Sequence, residues 1–203
     1  MLDTTSTYTM RRNLCRWLYP LPSLVRTHST FMKSDGPRKL PVISVWTDGS
    51  AWTGDRRGGW AAVLKHRQRV KVIYGGLWDT TSQRAELTAA IKALSSIRKR
   101  CMVVMVSDSQ YLVNGLNQWV DGWAKRGWVK ADGDPVLNQD LWKKLLVLRE
   151  KHYLKISWVK GHADDEWNIC ADYFAGEGRA LSTIDNQSIE LTVDDIMQAR
   201  YKS

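Results

Sequence analysis

The chain has 203 residues, 43% apolar and 25% charged, with a formal net charge of +9. This balance fits one globular domain with extensions, and the sequence holds no internal repeat or low-complexity tract. No apolar run approaches the ~20 residues of a membrane-spanning helix, which excludes a helical membrane protein.

Charge is unevenly spread. Residues 1–41 hold seven Lys/Arg against two Asp, residues 42–180 hold 21 against 15, and residues 181–203 hold two against four. The middle of the chain is therefore mildly basic, which is compatible with a polyanionic partner without establishing one. The N-terminal stretch, with Arg11, Arg12, Arg16 and Arg26 among many Ser and Thr, resembles a transit peptide and points to a mitochondrial or other organellar destination. Leu14, Trp17, Leu18 and Leu21 fall at helical spacing, with Pro20 and Pro22 limiting the length. The alternative is a basic arm without a targeting role, in a cytoplasmic or nuclear protein. Residues 33–41 read as a linker.

The ordered domain is expected over 42–181. Val42–Thr47, Gly58–His66 and Val70–Gly76 are β-type runs, and the short break between the last two predicts antiparallel pairing. Ser82–Arg98 predicts a helix whose apolar face is Ala85, Leu87, Ala89, Ala90, Ala93, Leu94 and Ile97. Met102–Ser107 is a buried strand and Ser109–Asn117 a helix. A helix over Asn138–Lys151, a strand over Leu154–Val159 and a helix over Asp165–Leu181 complete the domain. The sum is an α/β fold with a mixed five-stranded sheet, helices on its faces. Residues 182–203 are a polar tail in which Thr192 and Asp195 look like a capping signal. Cys15, Cys101 and Cys170 lack metal-type spacing and are expected as free thiols.

Four acids change the functional odds. Asp48 and Asp108 end apolar β-type runs, Glu86 lies one turn into the first helix, and Asp172 lies in the last helix, ten residues after His162. In open α/β sheets, ligands gather beyond the carboxyl ends of strands. Singly, each acid has a dull explanation: a turn, a helix-face charge, a solvated residue. Together they would repel one another without a cation, and hard divalent ions such as Mg²⁺ prefer oxygen ligands. Such a site would hold two ions ~4 Å apart, one serving an attacking water and one the leaving oxygen of a phosphodiester. No Cys/His cluster suits Zn²⁺, and no phosphate loop or serine-nucleophile motif is present.

Five stretches resemble type 1 ribonuclease H in order and spacing. They are Thr-Asp-Gly-Ser (47–50), Thr-Thr-Ser-Gln-Arg-Ala-Glu-Leu-Thr-Ala-Ala-Ile (80–91), Ser-Asp-Ser-Gln-Tyr (107–111), Gln-Trp-Val-Asp-Gly-Trp-Ala-Lys-Arg-Gly-Trp (118–128) and Trp-Val-Lys-Gly-His-Ala (158–163). The resemblance implies the ribonuclease H-like fold, with three antiparallel strands followed by two parallel ones. It also implies endonucleolytic cleavage of the RNA strand of an RNA–DNA hybrid by a monomer, leaving 5′-phosphate and 3′-hydroxyl ends. Two Mg²⁺ ions, replaceable by Mn²⁺, would be held by Asp48, Glu86, Asp108 and Asp172. Asp48 matches the bridging ligand, Glu86 and Asp108 the ligands on the attacking side, and Asp172 a ligand on the leaving side. His162 matches a loop histidine that assists proton movement or product release.

Gly49 and Ser50 would approach the RNA sugar, and Ser82, Gln83 and Gln110 match minor-groove positions. Thr81 and Arg84 stand at a helix start that favours phosphate, although Arg84 equally fits a structural ion pair. Residues 118–137 resemble a basic protrusion gripping the DNA strand. There Lys125, Arg126 and Lys130 would face phosphate, and Trp119, Trp123 and Trp128 either contact substrate or pack the protrusion. Asp121, Asp132 and Asp134 dilute its charge, which predicts salt-sensitive binding.

Residues 51–59 lack the Asn and Pro common in the family's turn, so a substrate contact there is lost or passes to Arg56 or Arg57. The acidic run Asp164, Asp165 and Glu166 departs from the family and bears on loop mobility. Two other readings stay open: a non-catalytic hybrid-binding subunit, and a nuclease of the same fold acting on DNA junctions.

Overall fold

Strand alternation decides which side chains of β1 (Val42–Ala51) meet which layer of helices. Val45 and Thr47 point to one face and are fully buried, while Trp46, Asp48 and Ser50 point to the other. The computed structural model describes residues 40–52, 54, 56–161 and 165–181, and the backbone of 186–192. The proposed transit segment, His162 and the capping signal near Asp195 lie outside the described residues.

The sheet runs β5-β4-β1-β2-β3-β6. β2 (Gly58–His66) pairs antiparallel with β1 and with β3 (Arg69–Leu77), while β4 (Met102–Ser107) pairs parallel with β1 and with β5 (Tyr153–Trp158). The five strands from β3 to β5 are the mixed sheet expected from the sequence. A sixth, β6 (Asn186–Thr192), adds antiparallel to β3. The sequence marks this stretch only as polar tail.

One face carries α1 (Ser82–Ser96), started by Thr81, whose hydroxyl accepts from the Arg84 backbone N–H. Leu87, Ala90 and Leu94 of α1 join Val45, Met105, Leu112, Trp142 and Leu145 in the main core. Trp142 and Leu145 come from α4 (Gln139–Glu150), which packs on α1. The other face carries α5 (Glu166–Ala180), whose Ala171 joins Val63, Val70 and Val72. Cys101 and Cys170 are free thiols. Burial pushes Cys170 up to about 11 and makes it a poor nucleophile.

Most observed boundaries fall within one or two residues of expectation, and two larger differences bear on the site. β1 does not stop at Thr47: its parallel ladder with β4 ends there, but pairing with β2 continues to Ala51↔Gly58. Asp48 therefore sits inside a strand, at the point where one neighbour ends. The helix expected over 109–117 is α2 (Gln110–Asn114), continuing through a π-helical turn at Gly115–Trp119 into α3 (Val120–Lys125). Trp142 fills the space a side chain at 115 would need; a Cβ there would run into its six-membered ring.

Candidate active site

Three of the four predicted acids converge. Ligand oxygens of Asp48, Glu86 and Asp108 all lie within 4.8 Å of one another. Asp48 is 6% exposed, an unusual burial for a carboxylate. Asp108 follows the last residue of β4. Glu86 arrives from one turn into α1, brought close because residue 49 is glycine: a Cβ on Gly49 would lie 2.7 Å from the Glu86 Cα.

The electrostatics are those of a crowded anionic site. The Glu86 carboxyl is held well above its ordinary value, first by burial and then by the charges of Asp48 and Asp108, against a lowering hydrogen bond from the Gly49 backbone. Its Oε2 is buried with no hydrogen-bond partner. An orphaned carboxylate oxygen facing two more acids is a donor set that suits a hard divalent cation.

Asp172 is exposed on α5 and stands outside the close cluster. Its position along the sheet follows from two hydrogen bonds. Trp46 Nε1 donates to Asp165 Oδ2 at 3.0 Å, and Arg179 Nη1 donates to Ser50 Oγ at 2.9 Å. Asp165, Asp172 and Arg179 are spaced two helical turns apart, and Trp46, Asp48 and Ser50 share one strand face. Asp172 is thus midway between these contacts on the helix, as Asp48 is on the strand.

The loop beyond β5 borders the cluster. A Cβ on Gly161, the residue before His162, would lie 2.8 Å from Asp108 Oδ2. Trp158 Nε1 fixes the turn from the other side by donating to the Asp108 carbonyl at 2.9 Å. Asp165, read in the sequence as part of an acidic loop, is the N-cap of α5 and accepts from the Trp167 and Asn168 N–H groups.

This active-site layout occurs in a chain whose residues 41–180 match a protein-family model described as RNase H. The chain belongs to the RNase H family. It is a ribonuclease, and its matched region is 45% identical over 138 residues to a protein named Ribonuclease H from Phenylobacterium zucineum, covering 68% of this chain and 90% of that one. A protein named Ribonuclease HI from Caulobacter vibrioides is 44% identical over 138 residues, covering 68% and 93%. Among solved structures, LC9-RNase H1, described as a type 1 RNase H with the type 2 active-site motif, aligns with a TM-score of 0.69 at 27% identity. The alignment covers 78% of this chain and 80% of that chain. The foamy viral protease-reverse transcriptase shares the fold at a TM-score of 0.55 and 22% identity, covering 78% of this chain and 23% of that one.

The remaining predicted residues of this RNase H fall into groups. Gly49 and Ser50 lie beside the acids on β1; Thr81, Ser82 and Gln83 are exposed at the start of α1, and Gln110 is exposed at the start of α2. Arg84 is engaged in a bidentate pair with Asp140 at 3.0 and 2.8 Å and also donates to Asn138 Oδ1. That guanidinium holds the Asp140 carboxyl below its usual range. Of the two roles weighed for Arg84, the ion pair is the one observed.

In the protrusion, Trp119, Trp123, Tyr111 and Trp142 pack in tilted and edge-to-face pairs at centroid distances of 5.3–6.4 Å, and Trp128 packs against the main core. Lys130 is held by Asp132 and Asp134 at 3.0 and 3.1 Å, whereas Lys125 and Arg126 are exposed. Asn168 went unnoticed in the sequence. It is 2% exposed, its Oδ1 lacks a hydrogen-bond partner, and it sits one turn before Asp172. The i, i+4 spacing to Asp172 was the available signal.

Proposed function

We propose that this ribonuclease hydrolyses the RNA strand of RNA–DNA hybrids endonucleolytically, leaving 5′-phosphate and 3′-hydroxyl ends. The observation that carries the proposal is the convergence of Asp48, Glu86 and Asp108 around the unsatisfied Glu86 oxygen. Asp48, Glu86, Asp108 and Asp172 would hold two Mg²⁺ ions, or Mn²⁺ in their place. Bound there, the ions supply acidity to a water and offset charge on the leaving 3′ oxygen.

The protein's own groups do the rest. Asp48 is rigid because a strand ladder holds it on one side and core packing buries it. Glu86 and Asp108 join it from α1 and from the end of β4, and Asp172 would complete the set from α5. His162 follows Gly161, which adjoins Asp108, and its imidazole would take up or release the proton near neutral pH. Gly49 and Ser50 would face the ribose, and Ser82, Gln83 and Gln110 the minor groove. Thr81 would approach phosphate, and Lys125 and Arg126 the DNA strand. Residues 1–41 would direct the chain to an organelle.

The test is strand-specific cleavage of end-labelled RNA–DNA, DNA–DNA and RNA–RNA duplexes under Mg²⁺ titration. The expected result is cutting of the hybrid's RNA strand alone, lost in Asp48→Asn with the fold retained. Binding without cutting would replace this reading with a hybrid-binding subunit, and cutting of DNA–DNA duplexes with a junction nuclease.

A further inference from the structure

Just past the ends of β1 and β3 stand two exposed tryptophans that the proposed reaction does not use. Trp52 is 57% exposed and Trp78 52%. Each has a guanidinium over its ring: Arg179 lies 5.2 Å from the Trp52 centroid and Arg57 5.9 Å from that of Trp78. Arg179 also donates to Ser50, two residues from Asp48, so the cluster adjoins the reacting centre.

The two segments are locked together. The Trp52 N–H donates to the Arg57 carbonyl and the Thr80 N–H to the Arg56 carbonyl, both at 2.9 Å. Arg56 Nε pairs with Asp79 Oδ1 at 2.9 Å, and both residues have positive φ, 55° and 48°. Backbone strain of this kind persists where the surroundings over-determine it, and it clusters at ligand clamps. Between the loop and α5 lies a cleft of about 200 Å³ lined by Trp52, Arg57, Gly176, Arg179 and Ala180. Gly176 leaves its floor open, since a Cβ there would meet nothing within 4 Å.

We propose that this cleft binds an unpaired ribonucleotide where the RNA strand leaves the hybrid. Trp52 offers a face for base stacking, and Arg179 and Arg57 offer charge to the flanking phosphates. Stacking on a pre-positioned aromatic ring is sequence-tolerant. The strand assignment rests on the proposed hybrid reading, in which Gly49 and Ser50 face the RNA sugar.

The experiment measures binding of the full chain in Ca²⁺ to fluorescent hybrids that are blunt, extended by unpaired RNA at either end, or extended by unpaired DNA. The expected result is about tenfold tighter binding of one RNA-extended hybrid than of the blunt one. Trp52→Ala and Gly176→Leu should each bring that ratio to about one, while Trp52→Phe keeps most of it. Gly176→Leu raises helix propensity, so it tests the cleft in a chain that folds. Equal affinity of the wild type for blunt and RNA-extended hybrids overturns the proposal, as does a ratio that survives both variants. Blunt-hybrid cleavage, assayed in parallel, separates the two readings: its absence counts against the hydrolase, not against a cleft read out by binding.

Discussion

Gly49 and Glu86 meet without an intervening side chain: the β1 backbone lies against α1 at Ala85 and Glu86, where a Cβ on residue 49 would come within 2.7 Å of the Glu86 Cα. The opposing atoms are backbone, so they yield only if the helix moves. Gly49→Ala should push α1 off the sheet and carry the Glu86 carboxylate away from Asp48. We expect a stability loss of ~1–3 kcal/mol, typical of overpacking, and a disproportionate fall in kcat of a hundredfold or more. Thermal melts with cleavage kinetics check this. Activity near wild type would show that the close approach is not what positions Glu86.

The raised Glu86 carboxyl has a signed consequence for the metal-free protein. Because its folded-state value lies well above its ordinary 4.5, the unfolded chain gives up this proton first as pH rises. The group's contribution to stability is complete below about pH 4.5 and is lost as pH climbs toward the folded value. Glu86→Gln stays neutral and escapes that loss, so at pH 7 in EDTA its Tm should exceed wild type by ~2–4 °C. Adding Mg²⁺ should raise the wild-type Tm more than that of the variant. Melts across pH with and without the ion test both signs, and an unchanged Tm in EDTA would count against the burial of this charge.

What was legible in the sequence was what local pattern and motif spacing encode. The acid at 48 stood out because it ends an apolar β-type run, and α1 because its small apolar residues recur on one face. What escaped depended on tertiary partners. Gly115, where the π-helical turn begins, lies against Trp142, 27 residues further on, a contact no local pattern announces. Arg84 could not be assigned until Asp140 appeared beside it, and Asp165 looked like loop charge until it capped α5. β6 was missed because its polar run Asn-Gln-Ser-Ile-Glu has no strong alternation, and its pairing is set by the open edge of β3.

The Arg84–Asp140 pair predicts a modest energetic role. Both side chains are substantially exposed, 36% and 53%, so solvent screens the interaction despite its bidentate geometry. A double-mutant cycle with Arg84→Ala and Asp140→Ala should give a coupling of ~0.5–1 kcal/mol. Arg84→Ala should change KM for hybrid less than threefold, because the guanidinium is committed to Asp140 and Asn138. A larger rise in KM, reproduced in Asp140→Ala, would restore phosphate binding as its role.

β6 covers an edge that would otherwise invite association. β3 contains Val70, Val72 and Ile73, and its outer hydrogen-bonding groups pair with β6 from Arg69↔Thr192 to Gly75↔Asn186. An uncovered apolar edge strand is a template for another chain. Deleting residues 182–203 should lower stability by ~1–3 kcal/mol, the net of several rungs against the cost of ordering the tail. It should also produce concentration-dependent oligomers in light scattering. Ile189→Pro, which removes one backbone donor opposite Val72, should show the same trend at smaller size. Cleavage per folded molecule should persist in both, because Asp48, Glu86 and Asp108 sit on β1, on α1 and just after β4, away from this edge. A truncated chain that stays monomeric with an unchanged Tm would show that the edge is protected by the twist and charge of β3 alone.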